Sequence, residues 1–208
     1  TMAGSPHSAG THLPIGDLKL NFTYPEGELS DYHHELDLTT ATNTVTYKVG
    51  DTEYTRQCIA SNPDDVIAMH IKASRPESIT VELELQPLRN AEVVASGNQL
   101  IYTGNAEFEK HGRGGVLFEG RIAAEIKGGT IKADGKKLLI DKATEVLLLS
   151  DVRTNYKNTT FAGYDYQQKC KETIEAASKK SFKTLRNTHV EDYTPLFSRV
   201  ALSFGENG

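Results

Sequence analysis

The chain has 208 residues, 38% of them hydrophobic and 25% charged, with a formal net charge of −5. That balance is ordinary for a globular domain, and its acidity argues against nucleic acid or an anionic membrane as partner, since both require a basic surface. No segment approaches the roughly 20 consecutive apolar residues that span a bilayer, and the longest apolar run, residues 146–149, is strand-sized.

Residues 1–12 are small, polar and rich in Gly and Ser. They carry neither the basic region nor the apolar stretch of a signal peptide, so they are expected to form a flexible tail. Residues 13–164 predict a β-sandwich domain. Residues 18–24 alternate apolar and polar, and Pro25 to Gly27 makes a turn. A short strand is expected around Leu36, then strands over 44–49 and 52–59 joined by a Gly50-Asp51 hairpin. Asn62-Pro63-Asp64-Asp65 breaks the chain before a strand over 66–73. Residues 78–85 alternate, with Ile79, Val81, Leu83 and Leu85 on one face. Further strands are expected over 91–94, 99–102, 116–126, 130–133, 137–140 and 145–150, with Asp134-Gly135 as a hairpin signal. Strands this regularly spaced, with no helix between them, point to an antiparallel sandwich or barrel.

After Asp151 the texture changes. Residues 165–208 predict a helical linker segment: Asp165 caps a helix over 166–178 and Ser181 caps a second over 181–190. A third, short helix is expected around Pro195, and residues 199–204 alternate like a last strand.

Chemistry-bearing clusters are few. His33-His34-Glu35 is the most metal-like, but neighbours on a strand point to opposite faces, so the rings are expected to diverge and no metal site is assigned. Carboxylates abound (Asp31, Glu35, Asp37, Asp64, Asp65, Glu82, Glu84, Glu119), and Glu82 and Glu84 fall on the polar face of an alternating strand. Glycoside hydrolysis needs two carboxyls facing across about 5–10 Å, which sequence cannot display. The glycine-rich stretch 111–115 lacks the Gly-Lys-Ser/Thr ending and following helix of a phosphate loop. It reads as a hairpin connection, with His111 and Arg113 as the weak candidate binding residues. No nucleophile elbow, cofactor motif or cysteine framework is present; Cys58 and Cys170 are expected to be unpaired thiols. Sugar-binding modules commonly stack sugars on exposed aromatic rings, and this chain has 9 Tyr and 7 Phe but no Trp.

Several segments, in order, resemble the N-terminal domain of glycoside hydrolase family 95, whose members are mainly α-L-fucosidases. Residues 13–22, LPIGDLKLNF, resemble its "GDL…F" strand, and residues 32–38, YHHELDL, with Ala41 resemble "YRRELDL…A". Val45 and Tyr47, Tyr54 and Arg56, and residues 60–66 are similar to its "V-Y…Y-R…AS-PD-V" hairpin, and residues 189–200 to its "H…DY-LF-RV" segment. His33 and His34 stand where that family has Arg-Arg. The resemblance implies a mainly β, antiparallel supersandwich of the galactose-mutarotase type with a C-terminal helical segment. It further implies a secreted or periplasmic bacterial protein acting on fucosylated glycans by inversion. The family's "GNG-LGA" and "NE-LW-GG" motifs have no counterpart before residue 13. Its general acid and base-positioning residues belong to an (α/α)6 barrel that has no counterpart here, so no catalytic residue and no cofactor is assigned.

The expected role is therefore a non-catalytic domain supporting a catalytic barrel of the same protein. An autonomous carbohydrate-binding module, and the equivalent domain of a related hydrolase or phosphorylase acting on another sugar, stay open. If further strands normally complete the sandwich, the chain is expected to expose strand edges and self-associate.

Overall fold

The computed structural model describes residues 14–88, 90–106, 116–156, 165–201 and 205. Its strands are β1 Gly16–Thr23, β2 Leu29–Asp37, β3 Thr42–Val49, β4 Thr52–Ser61, β5 Val66–Ala73, β6 Ile79–Pro87, β7 Asn90–Ser96, β8 Gln99–Ala106, β9 Val116–Lys127, β10 Thr130–Asp134, β11 Lys137–Ala143 and β12 Glu145–Thr154. Two helices follow, α1 Tyr166–Ala177 and α2 Phe182–Phe197. A small sheet runs β1-β6-β11-β10 and a large one β2-β3-β4-β5-β12-β9-β8-β7, with the pairs antiparallel throughout. The chain is thus a mainly β supersandwich with a helical C-terminal part.

The layering explains the sequence pattern. The inner face of the large sheet contributes Tyr54, Ile71, Leu100 and Leu148, packed with Val81, Leu83 and Ile140 of the small sheet. The small sheet's outer face meets water, so β6 alternates between buried and half-buried positions from Ile79 to Leu85. β12 does not alternate: Val146, Leu147, Leu148 and Leu149 are all buried. Val146 and Leu148 enter the inner core, while Leu147 and Leu149 join a second, outer core with Ile59, Ala68, Ile174, Phe182 and Leu185. The four-residue apolar run is therefore the signature of a strand covered on both faces. Burying side chains of this size contributes about 1.5–3 kcal/mol each.

Both helix caps form as their residues dictate. Asp165 accepts from the Gln168 amide at 2.9 Å and the Ser181 hydroxyl accepts from the Thr184 amide at 3.1 Å. The third helix does not exist as a separate element. α2 runs on through Pro195 to Phe197, because a proline in the final turn forfeits one backbone bond while Ser198 still donates to the Thr194 carbonyl. Of the expected last strand, Arg199 to Ala201 are turn and irregular chain, and 202–204 lie outside the described residues. β2 begins seven residues before Leu36. A bulge between Ser30 and His33, with Asp31 at φ 53°, breaks its alternation.

Candidate functional site on the outer face of the large sheet

α1 and α2 lie across the outer face, and beneath α1 β9 and β12 present four charged side chains. Asp151 stands opposite Arg121 and Arg153 opposite Glu119 across the ladder. Within each strand the acid also holds the arginine two residues on: Arg121 Nε donates to Glu119 at 2.7 Å and Arg153 Nε to Asp151 at 2.8 Å. Gln167 of α1 donates to the other Glu119 oxygen at 3.0 Å, and Arg153 reaches Asp65 at 3.0 Å. Burial pushes the Asp151 carboxyl above its usual range, and Arg153 offsets this only in part. Burial likewise pushes the Cys170 thiol, 3.5 Å from the Asp151 carbonyl oxygen, up to about 12. The quartet fastens α1 to the sheet; its carboxylates are nearly fully buried under the helix and engaged by arginines.

Beside the start of α2 is an open cleft of about 530 Å³, floored by Gln57, His70, Glu125 and Glu145 and walled by Phe182. The His70 ring stacks on Phe182 with centroids 4.9 Å apart, and its Nε2 lies 3.2 Å from Glu145, which Lys127 also reaches at 3.4 Å. Burial lowers the His70 pKa despite the carboxylate beside it. Burial opposes charge on Glu145, but the hydrogen bonds from His70 and Lys127 outweigh it and hold the carboxyl below its usual range. Glu145 is thus ionised at neutral pH, the opposite of a general acid.

Farther along, α2 is latched to two turns. His189 Nε2, the Tyr193 hydroxyl and the Thr194 hydroxyl bond the backbone carbonyls of Thr40, Leu38 and Thr39 at 3.0, 2.9 and 3.1 Å. The turn is shaped by Asp37, which accepts from the Thr39 and Thr40 hydroxyls and so has its pKa lowered to about 2. Asn62 donates to Asp192 at 3.3 Å, and Lys180 pairs with Asp64.

The residues singled out in the sequence scatter. His111 and Arg113 lie outside the described residues. His34 bonds Asn43 at 2.7 Å, while His33 lies 3.6 Å from Glu35 on the other face of β2. Among the described residues, no three His, Cys, Asp or Glu side chains converge as metal ligands would. Glu82 and Glu84 share Lys137 at the surface. What sequence reading missed is the quartet, although Glu119-Gly120-Arg121 and Asp151-Val152-Arg153 repeat one acid-x-Arg pattern on two strands. It also missed that the turn at 38–40 and Asn62 both meet residues 189–194 of α2.

Residues 1–159 match the family model described as "Glycosyl hydrolase family 65, N-terminal domain". The chain belongs to this family. "Alpha-L-fucosidase 2" of Arabidopsis thaliana is 29% identical over 97% of the chain, and "Probable alpha-fucosidase A" of Aspergillus niger is 28% identical over 88%. The chain spans only 27% and 25% of these two relatives. Among solved structures, "Putative kojibiose phosphorylase from human microbiome" superposes with a TM-score of 0.58 over 84% of the chain and 27% of that protein, at 12% identity. That likeness concerns the fold alone. The family 65 N-terminal domain is thus the architecture shared by the chain, and the fucosidase relatives agree with the family 95 resemblance read from its motifs.

Proposed function

We propose that the chain is the non-catalytic N-terminal domain of an α-L-fucosidase-type glycoside hydrolase. It supports an (α/α)6 catalytic barrel of the same polypeptide, which removes terminal fucose from glycans by inversion. The alignment of nearly the whole chain with one quarter of two fucosidases carries this reading. The chemistry on the outer face agrees with a supporting role. Its buried acids are consumed in ion pairs with arginine, and Glu145 is held ionised. The latch of α2 on the 38–40 turn gives the chain after the sandwich a fixed direction, as a domain that positions another requires. Export to the periplasm or medium of a bacterium belongs to the same reading.

Reconstitution tests it. The 208-residue chain and the remainder of the polypeptide, produced separately, should each be inactive on a fucosyl oligosaccharide and regain turnover when mixed. A remainder fully active alone would refute a supporting role. The cleft beside His70 favours a second reading, an autonomous carbohydrate-binding module. Saturable heat on titration of the chain with fucosylated oligosaccharides, abolished by Gln57→Ala, would establish that reading instead.

A further inference from the structure

The two sheets are unequal, and the difference leaves part of the inner face bare. Directly paired residues on neighbouring strands share a face. Leu36 pairs Asn43, Asn43 pairs Cys58, Cys58 pairs Met69, and Met69 pairs Leu148 of the inner core. One row on, Ala60 pairs Ile67, Ile67 pairs Ser150, and Ser150 pairs Ile122, also of the inner core. Both rows therefore point to the side that the small sheet should cover. Yet Leu36 is 57% and Ile67 54% exposed, and Ala60 is exposed as well.

The small sheet covers these rows where they cross β12 and β9, at Leu148 and Ile122, and leaves their β2, β4 and β5 ends bare. The Phe22 ring of β1 lies over the Arg56 guanidinium, 4.1 Å from its centroid, and Arg56 is two residues from Cys58. β1 pairs only with β6 among the described residues, so its other edge offers free N–H and C=O groups beside the bare rows. Its apolar residues Leu18, Leu20 and Phe22 are only partly buried.

We propose that at least one further β-strand completes the sandwich here, hydrogen-bonded to the free edge of β1 and laying apolar side chains over Cys58, Ile67 and Met69. A free strand edge next to an apolar sheet face specifies a strand of alternating pattern rather than a helix. The same polypeptide in a longer form supplies it. The matched relatives are about four times the length of the segment they share with this chain. The proposal rests on the hydrolase reading only for the existence of that longer form.

Cys58 is the reporter, half-buried in the bare row, with buried Cys170 as internal control. The 208-residue chain and the polypeptide encoded by the whole reading frame are treated with a chromogenic disulfide reagent, and labelling is assigned by mass spectrometry. Cys58 should react at least tenfold more slowly in the longer form, and β1 amides should gain hydrogen-exchange protection. In parallel, Leu36→Glu and Ile67→Glu should leave the melting temperature of the short chain unchanged and lower that of the longer form by several degrees. Equal labelling and equal melting shifts in the two forms would overturn the proposal. Protection of Cys58 in the short chain that grows with its concentration would overturn it in favour of a second copy on this face. Fucoside turnover is not a readout here, so failure of the hydrolase reading would show separately.

Discussion

Leu185→Ala asks whether the helices and the sandwich are one cooperative unit. Leu185 is fully buried where α2 meets the large sheet, in one cluster with Ile59, Leu149 and Ile174. The substitution removes three carbons, worth about 2.4 kcal/mol at about 0.8 kcal/mol each. A cavity pinned between a latched helix and a sheet collapses poorly, which raises the cost to about 3–4 kcal/mol. At about 2–4 °C per kcal/mol for a domain of this size, the melting temperature should fall by roughly 6–16 °C. The assay follows two probes through one melt. Far-ultraviolet circular dichroism at the helical minimum reports α1 and α2. With no Trp in the chain, and with Tyr166 of α1 and Tyr193 of α2 changed to Phe in both proteins, tyrosine fluorescence follows the sandwich, including the Tyr24, Tyr47 and Tyr54 cluster of the inner core. Both transitions should coincide in the wild type and shift together in the variant. A helical signal that melts early while the tyrosine transition stays put would refute the reasoning and make the helices a separate linker.

Further outcomes follow from single contacts. Because the folded pKa of His70 is depressed below its ordinary 6.5, the unfolded chain binds the proton more readily, so this contribution to stability is complete above pH 6.5 and declines as the pH falls below it. His70→Gln should flatten the stability curve between pH 7 and 5 in urea denaturation; an unchanged slope would count against it. Gly120→Ala would place a Cβ 2.0 Å from Cζ of Tyr102, whose ring is buried, and should cost about 1–3 kcal/mol, whereas Gly97→Ala meets no atom and costs only its left-handed backbone strain. Thermal melts of the two would separate crowding from backbone effects. Cys170, with its thiol pushed up to about 12, should resist iodoacetamide at pH 8 until the chain unfolds; labelling of native protein at the rate of a free thiol would contradict its burial.

Most of the sandwich was legible because its strands are covered on one face and alternate accordingly, as in β6. The caps Asp165 and Ser181 were legible because an N-cap acts within three residues of itself. What escaped depended on distant partners. The seven early residues of β2 were lost because the bulge at Asp31 reverses the pattern midway. Pro195 suggested a break, but its position in the last turn of α2 removes the reason for one. The Glu119, Arg121, Asp151, Arg153 quartet requires knowing that β9 and β12 are neighbours, although residues 122–150 separate the two acid-x-Arg patterns along the chain. His189, Tyr193 and Thr194 bind backbone carbonyls, which bear no residue-type signal at all.

The supporting role is tested most directly by turnover of a fucosyl oligosaccharide, followed by proton magnetic resonance. The 208-residue chain should show none above buffer, and the polypeptide of the whole reading frame should release fucose first as the inverted anomer. Turnover lost on unfolding the chain would contradict the assignment of catalysis to another domain.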